Sequence, residues 1–596
     1  MTPVGQGGGP AGAPWPGAFW YRGVLPGLLP VLALLALGYV APMGTILWTS
    51  LHRGGDFSLA AYAEVLSSAT ILRIALRTFE VAVGTTLLCL LLGYPFAYFV
   101  ATRGRRWAGL LLALIAVPYL TSILIRSYAW IAILGGNGLI NRALLELGLV
   151  SEPLTLVFNS TGSAIGMVHI LLPMIVLPIY ASMQRIDSAL LLAARNLGGH
   201  PASVFLTVFL PLSAPGVIAG CALVFLSALG FYVTPALLGS PGDYLIAQAI
   251  EVRVSMLAEF DTAAAQACLL LLLVGGALFL LRHRLTGVAE GEAGRRSDAL
   301  AGDGLRRPLF GGRLPRPAFL GAATERLAPL AGPLLWLFAG LVLIFLLAPM
   351  LVVALVAFSS APYLTFPPPG YSGRWFMAFW QDSRWLEAAL FSIAVSTLAA
   401  ITALAVATPL AFALARRDFR GRRLLWLLAI SPMIVPHIVI GLGLFFTFVA
   451  LRLNGHPATF WIAYAVTGVP YVVIIMLAAL RRFDPNLELA GASLGGHPLA
   501  VFRTVTLPLL RIPFASAFLF AFLTAFDDLI ISLFLSSPRG TTLAMRMWED
   551  IRLEISPKTA VVGVLQLWIL LSVLIGTAAL RWWHARKRQP PTLNFV

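Results

Sequence analysis

Leu192-Ala193-Ala194-Arg195-Asn196-Leu197-Gly198-Gly199-His200-Pro201 opens a stretch that continues through Val204-Phe205 and Thr207-Val208 to Leu210-Pro211-Leu212. A second stretch, Leu489-Ala490-Gly491-Ala492-Ser493-Leu494-Gly495-Gly496-His497-Pro498, continues through Val501-Phe502 and Thr504-Val505 to Leu507-Pro508-Leu509. Matching positions, from Arg185 and Arg482 onward, lie 297 apart (482 against 185) in a chain of 596 residues. The protein is therefore read as a tandem of two related halves.

Each copy reads as a short amphipathic helix, residues 187–197 and 484–494, that stops at a Gly-Gly. Glycine takes the left-handed conformation that ends a helix, and the proline two residues further on turns the chain away. A helix this short between two long apolar segments cannot cross a bilayer, so it is expected at the membrane surface. A plain connector would need neither the repeated glycine nor the repeated Leu-Pro.

The composition agrees. The chain is 59% hydrophobic and only 11% charged, whereas soluble domains carry about a quarter charged residues. This is the composition of an integral membrane protein. The net charge of +16 comes largely from arginine, which marks cytoplasmic loops and meets anionic lipid of the bilayer. The basic residues are scattered over short loops, so nucleic acid is excluded as a partner. Cys89, Cys221 and Cys268 each sit inside an apolar run. Neither a disulfide framework nor a metal site follows from them, and His200 and His497 read as loop residues rather than ligands.

Apolar runs fall at residues 24–48, 75–101, 107–134, 164–183, 215–238 and 262–281, and again at 333–358, 386–415, 424–451, 460–480, 513–535 and 559–580. Each approximates the ~20 residues a bilayer requires. The expected fold is thus all-α transmembrane, with twelve spans in two six-helix domains. Clusters at Arg103, Arg105 and Arg106 and at Arg416, Arg417, Arg420, Arg422 and Arg423 place the loops after the second and eighth spans inside. Residues 1–23 read as a disordered cytoplasmic tail, 24–282 as the first domain, 283–332 as a cytoplasmic linker, 333–582 as the second domain and 583–596 as a basic cytoplasmic tail. Both termini are expected inside. Repeats of the same orientation imply an axis along the membrane normal with a pathway between the halves.

The pattern Ala-Ala, three residues, Gly, nine residues, an aliphatic residue, one residue, Leu-Pro resembles the signature loop of type I ATP-binding-cassette importer permeases. Ala193, Ala194, Gly198, Val208, Leu210 and Pro211 fill it in the first copy, and Ala490, Gly495, Val505, Leu507 and Pro508 in the second. The resemblance implies that each loop is a coupling helix docked on a cytoplasmic ATPase. Two departures stand out: the glutamate usual before the Ala pair is Leu192 and Leu489, and the second Ala of the later copy is Gly491. Glu488 stands one position early. The implied partners are two ATPase subunits, which would bind ATP and Mg, and an extracytoplasmic solute-binding protein. No GxxxxGK[ST] loop occurs in this chain, and no catalytic set of acid, base, nucleophile or metal ligands is gathered in it, so the expectation is a transport permease without a cofactor or enzymatic activity of its own.

Leu124-Ile125-Arg126-Ser127-Tyr128-Ala129-Trp130, with Asn137-Gly138-Leu139-Ile140-Asn141 after it, and Tyr232-Val233-Thr234-Pro235 resemble polyamine importer permeases; Phe526-Asp527-Asp528-Leu529 is similar to the partner permease of the same systems. The resemblance implies two spermidine/putrescine permeases joined in one chain of the bacterial inner membrane. Relatives of this class also serve ferric iron, thiamine and phosphonates. A twelve-span ion-coupled secondary transporter is the alternative from another class, but it needs ionisable residues inside several spans, and nearly all spans here lack them. Tyr128, Trp130, Asp527 and Asp528 are the candidate pathway residues. Tyr128 and Trp130 read equally well as interfacial aromatics. Asp527 and Asp528, an adjacent acidic pair in an apolar run, read either as a cation-favouring site or as packing. Asp243, Glu251, Glu549 and Asp550 read as external carboxylates, either solvated or in contact with the binding protein.

Overall fold

Long apolar runs become helices because hydrocarbon offers no partner to an open backbone N–H or C=O. The computed structural model describes residues 24–289, 318–538 and 540–587. Among these, nine helices are long and apolar enough to cross a bilayer, or eleven if each of two bent pairs is one span. The twelfth run lies in the helix Lys558–Lys587, whose apolar part, Lys558–Ile569, is shorter. The tail expected at 1–23, most of the linker at 290–317 and the end at 588–596 lie outside the described residues. The edges of the expected linker are helical, in Phe260–Ala289 and Ala318–Ala357.

The repeat is visible in the elements. Ala69–Thr102 and Ser383–Arg416 are both 34-residue helices, and Ser160–Met183 and Pro457–Leu480 are both of 24 residues. Several runs that read as continuous spans are broken. Residues 107–134 divide into Ala108–Tyr119 and Ile123–Leu134, and 424–451 into Arg422–Ile434 and His437–Ala450, bent by 101°. Pro118 and Pro436 lie beside these breaks, where a missing N–H and a fixed φ discourage the helix from continuing. Runs five and eleven break at matching places, Gly230–Tyr232 and Asp527–Leu529.

The chain forms two compact units; the first helix of each sequence half belongs to the unit built mostly from the other half, and the last helix, Lys558–Lys587, lies in the unit that holds most of the first half. Among the described residues, one unit joins those up to Trp48 to those between Glu387 and Met545. In it Leu28, Val31 and Leu35 share a core with Ala403, Ala407, Val469, Val473 and Ala521. Gly443 lets the helices approach so closely that a Cβ there would lie 2.6 Å from the Pro42 carbonyl oxygen, and Thr45 Oγ1 meets Thr447 Oγ1 at 3.0 Å. Small residues and hydroxyl bonds are what hold helices together where lipid removes the hydrophobic drive between them. The other joins the described residues between Thr49 and Leu386 to those from Arg546 onward. There Trp336 packs edge-on against Phe99, with ring centroids 4.6 Å apart, and His169 Nε2 donates to the Leu346 carbonyl oxygen at 3.1 Å.

Candidate functional site

The repeated stretches have the same construction. Asp187 caps its helix by accepting from the Ala189 amide at 2.9 Å, and the helix runs Ser188–Asn196; its counterpart is Asn486–Ser493. The stop comes at Gly198 and Gly495, with φ of +80° and +84°. No atom lies within 4 Å of a Cβ built at either position, so the glycine requirement there is one of backbone conformation rather than of space. The following glycines are required by space: a Cβ on Gly199 would lie 2.6 Å from the Ala194 carbonyl oxygen, and one on Gly496 2.8 Å from that of Gly491. His200 and His497 then cap the next helix through Nδ1, each accepting a backbone amide at 3.3 Å. Val208 and Val505 fall in π-turns at Phe205–Phe209 and Phe502–Thr506, a feature that often marks functional segments of a helix. Leu210-Pro211 and Leu507-Pro508 begin the helices after them.

Both short helices lack any buried residue. Leu192, Leu197, Leu487 and Leu494 are exposed, Leu197 and Leu494 to 88% and 90%. Leu197 and Leu494 thus present an exposed apolar side chain at matching places of the repeat, 297 positions apart. The second loop carries one tie that the first lacks. Glu488 pairs with Arg416 and accepts from Thr506 Oγ1 at 2.5 Å, while the Arg416 guanidinium lies over the rings of Phe412 and Phe483. Leu191 stands where Glu488 would in the first copy, and Phe209 where Thr506 would.

Tyr128 and Trp130 are buried, 0% and 5% exposed, and so are packed within their unit rather than set in an interfacial belt. The Tyr128 hydroxyl donates to the Ser556 carbonyl oxygen at 3.1 Å. Trp130 stacks edgewise on His169, with centroids 5.6 Å apart. Since His169 Nε2 donates to a carbonyl, its Nδ1 is a bare acceptor; this atom and Trp130 Nε1 are both buried without a partner among the described residues. Asp528 belongs to the other unit and is buried. One carboxylate oxygen accepts the Ile531 amide at 2.7 Å and the other meets His437 Nδ1 at 2.7 Å. Tyr464 and Thr542 converge on Ser532, at 2.7 and 2.8 Å, beside the Asp528 backbone. Asp527 is half-buried at the end of helix Arg511–Phe526.

The loop carboxylates are tied as well. Asp243 accepts from Ser160 Oγ at 2.6 Å, Ser240 Oγ at 2.8 Å and Arg77 at 3.3 Å. Burial acts to raise its carboxyl, but these donors outweigh it and hold the group below its ordinary value. Asp550 accepts from Ser556 and Thr559; here burial prevails and the carboxyl lies above its ordinary value. His437, Tyr464 and Arg416 were not legible as site residues from sequence. The available signal was their pairing with acidic or repeated positions, which only becomes visible once the helices are packed.

Residues 93–286 and 405–589 each match the family described as binding-protein-dependent transport system inner membrane component. The chain belongs to this family. The permease therefore carries the family's domain twice, in tandem, on an all-α transmembrane fold. It is 35% identical over 254 residues to the spermidine/putrescine transport system permease protein PotB of Escherichia coli K12, a match that takes 42% of this permease and 92% of that protein. It is 34% identical over 221 residues to the putrescine transport system permease protein PotI of the same organism, across 36% of this permease and 78% of that protein. It is also 39% identical over 166 residues to PotB of Haemophilus influenzae, across 28% of this permease and 58% of that protein.

Proposed function

We propose that the two repeats of this permease form the translocation unit of an ATP-driven importer for a polyamine, spermidine or putrescine, in the bacterial inner membrane. The observation that carries the reading is the twofold family domain whose relatives in both the PotB and PotI lines are polyamine permeases. Two ATPase subunits dock at the repeated loops, around Ala193, Ala194 and Gly198 and around Ala490 and Gly495, and ATP and Mg are bound there rather than on this chain. An extracytoplasmic binding protein delivers the amine. Both termini and the linker are cytoplasmic, on the side of the arginine clusters. Tyr128, Trp130, Asp527 and Asp528 contribute to the path, with the acidic pair supplying a negative potential that favours an amine cation over neutral or anionic solutes.

The test is uptake of radiolabelled spermidine and putrescine by cells deleted for their own polyamine importers and expressing this permease with its partner subunits. Saturable uptake that unlabelled spermidine competes away, and that thiamine and ferric citrate do not, supports the reading. Competition by one of the latter with no amine uptake would replace the substrate.

A further inference from the structure

Glu251 lies on the helix Ile246–Val252 and is 7% exposed. A buried carboxylate ordinarily has a cationic partner, because desolvating it alone is costly. Glu251 forms no ion pair among the described residues; the neighbouring Arg253 is engaged by Glu64 and Glu259 instead. Its carboxylate accepts from Ser255 Oγ at 2.8 Å and faces the Tyr232 hydroxyl. Tyr232 is the last residue of the break in run five, and its ring lies against Trp548, with centroids 5.7 Å apart. Tyr232 and Trp548 are 2% and 3% exposed. Trp548 is the repeat counterpart of Glu251 (548 against 251), so one family position supplies a carboxylate in one half and an indole in the other. The exposed Arg552 lays its guanidinium over the Trp548 ring, 5.4 Å from the centroid.

An unpaired carboxylate beside a phenol and an indole is complementary to an alkylammonium group. The carboxylate supplies charge and hydrogen-bond acceptance, and the ring faces supply cation–π attraction. A bare metal ion fits poorly, since hard cations take six or more oxygen ligands, and no group of three metal-type side chains occurs among the described residues. We infer that Glu251, Tyr232 and Trp548 form a docking site for an ammonium group of the transported amine, with Arg552 as a tethered competitor for the Trp548 face. This rests on the polyamine reading above.

Equilibrium dialysis of radiolabelled spermidine against the purified full-length chain tests the site, with uptake measured in parallel. Wild type binds saturably. Glu251→Gln keeps the acceptor for Ser255 and removes the charge, and weakens binding about tenfold or more, whereas Glu251→Asp stays within about threefold of wild type. Arg552→Ala tightens binding by about twofold to threefold, an effect that loss of a merely structural contact would not produce. Glu251→Gln binding like wild type overturns the site. If that variant fails to enter the membrane, Arg552→Ala decides alone, and unchanged or weaker binding by it is the contrary result. Amine uptake without saturable binding by wild type rejects the site and leaves the transport reading standing; absence of amine uptake rejects the substrate and the site together.

Discussion

His437 Nδ1 and Asp528 Oδ2 stand 2.7 Å apart, and the second oxygen of the same carboxylate caps the helix Ile530–Leu535 through the Ile531 amide. One side chain thus ties together two interrupted spans, the pair bent at 101° before His437 and the run broken at Asp527–Leu529. Asp528→Asn keeps an acceptor but removes the charge from both bonds, and hydrogen bonds to charged groups contribute about 1.5–3 kcal/mol. The expected outcome is a lower thermal midpoint in detergent together with reduced amine uptake. Asp527→Asn, at a half-buried position, is expected to reduce uptake with little change in the midpoint. Wild-type uptake by both variants would reduce the pair to packing.

The left-handed glycines of the two loops discriminate conformation from size. Because no atom lies near a Cβ at Gly198 or Gly495, Asn, which visits positive φ readily, is expected to be tolerated, while Val incurs a backbone strain of more than about 1 kcal/mol. Substrate-stimulated ATP hydrolysis and uptake should fall together in Gly198→Val and Gly495→Val and persist in the Asn variants. Normal activity of both Val variants would remove the docking assignment.

The two loops are expected to respond unequally to charge. Glu488→Ala strands Arg416, which already has two guanidinium nitrogens without partners, and loosens the second loop by about 1–3 kcal/mol. Uptake per ATP hydrolysed should decline, and the exchange Arg416→Glu with Glu488→Arg should recover part of it. At Leu191, the matching position of the first loop, Leu191→Ala should have a smaller effect. Equal effects at the two positions would make the Arg416 tie incidental.

Orientation is open to direct labelling. Single cysteines at Leu300 and Leu145, in a chain whose own three cysteines are replaced, should react with impermeant maleimide from the cytoplasmic and external sides respectively. Labelling of position 300 from outside would invert the topology.

The tandem and the helical class were legible because Gly198, Pro211 and their counterparts are backbone requirements, which leave the same residues at the same spacing in both halves. Lengths of apolar runs showed where helices lie, but not that they break: Gly230 interrupts a helix where hydropathy gives no sign of it, and the Asp527-Asp528 pair marked a charge in its run without showing that the helix ends there. The exchange of first helices between the units was invisible, because hydropathy records only that Leu28 and Val31 are buried and not against which partner. Asp528 stood out as a charge in an apolar run. Its bond to His437, 91 residues earlier, and the convergence of Glu251 with Trp548 arise from packing that no local pattern records.

The most direct test of the account is accumulation of radiolabelled spermidine in proteoliposomes containing this permease, its ATPase partners and its binding protein, with ATP supplied on the side of the coupling loops. Inward accumulation that requires both ATP and the binding protein, and that vanishes with Gly198→Val and Gly495→Val combined, is the predicted result. Accumulation driven by a proton or sodium gradient without ATP would contradict it.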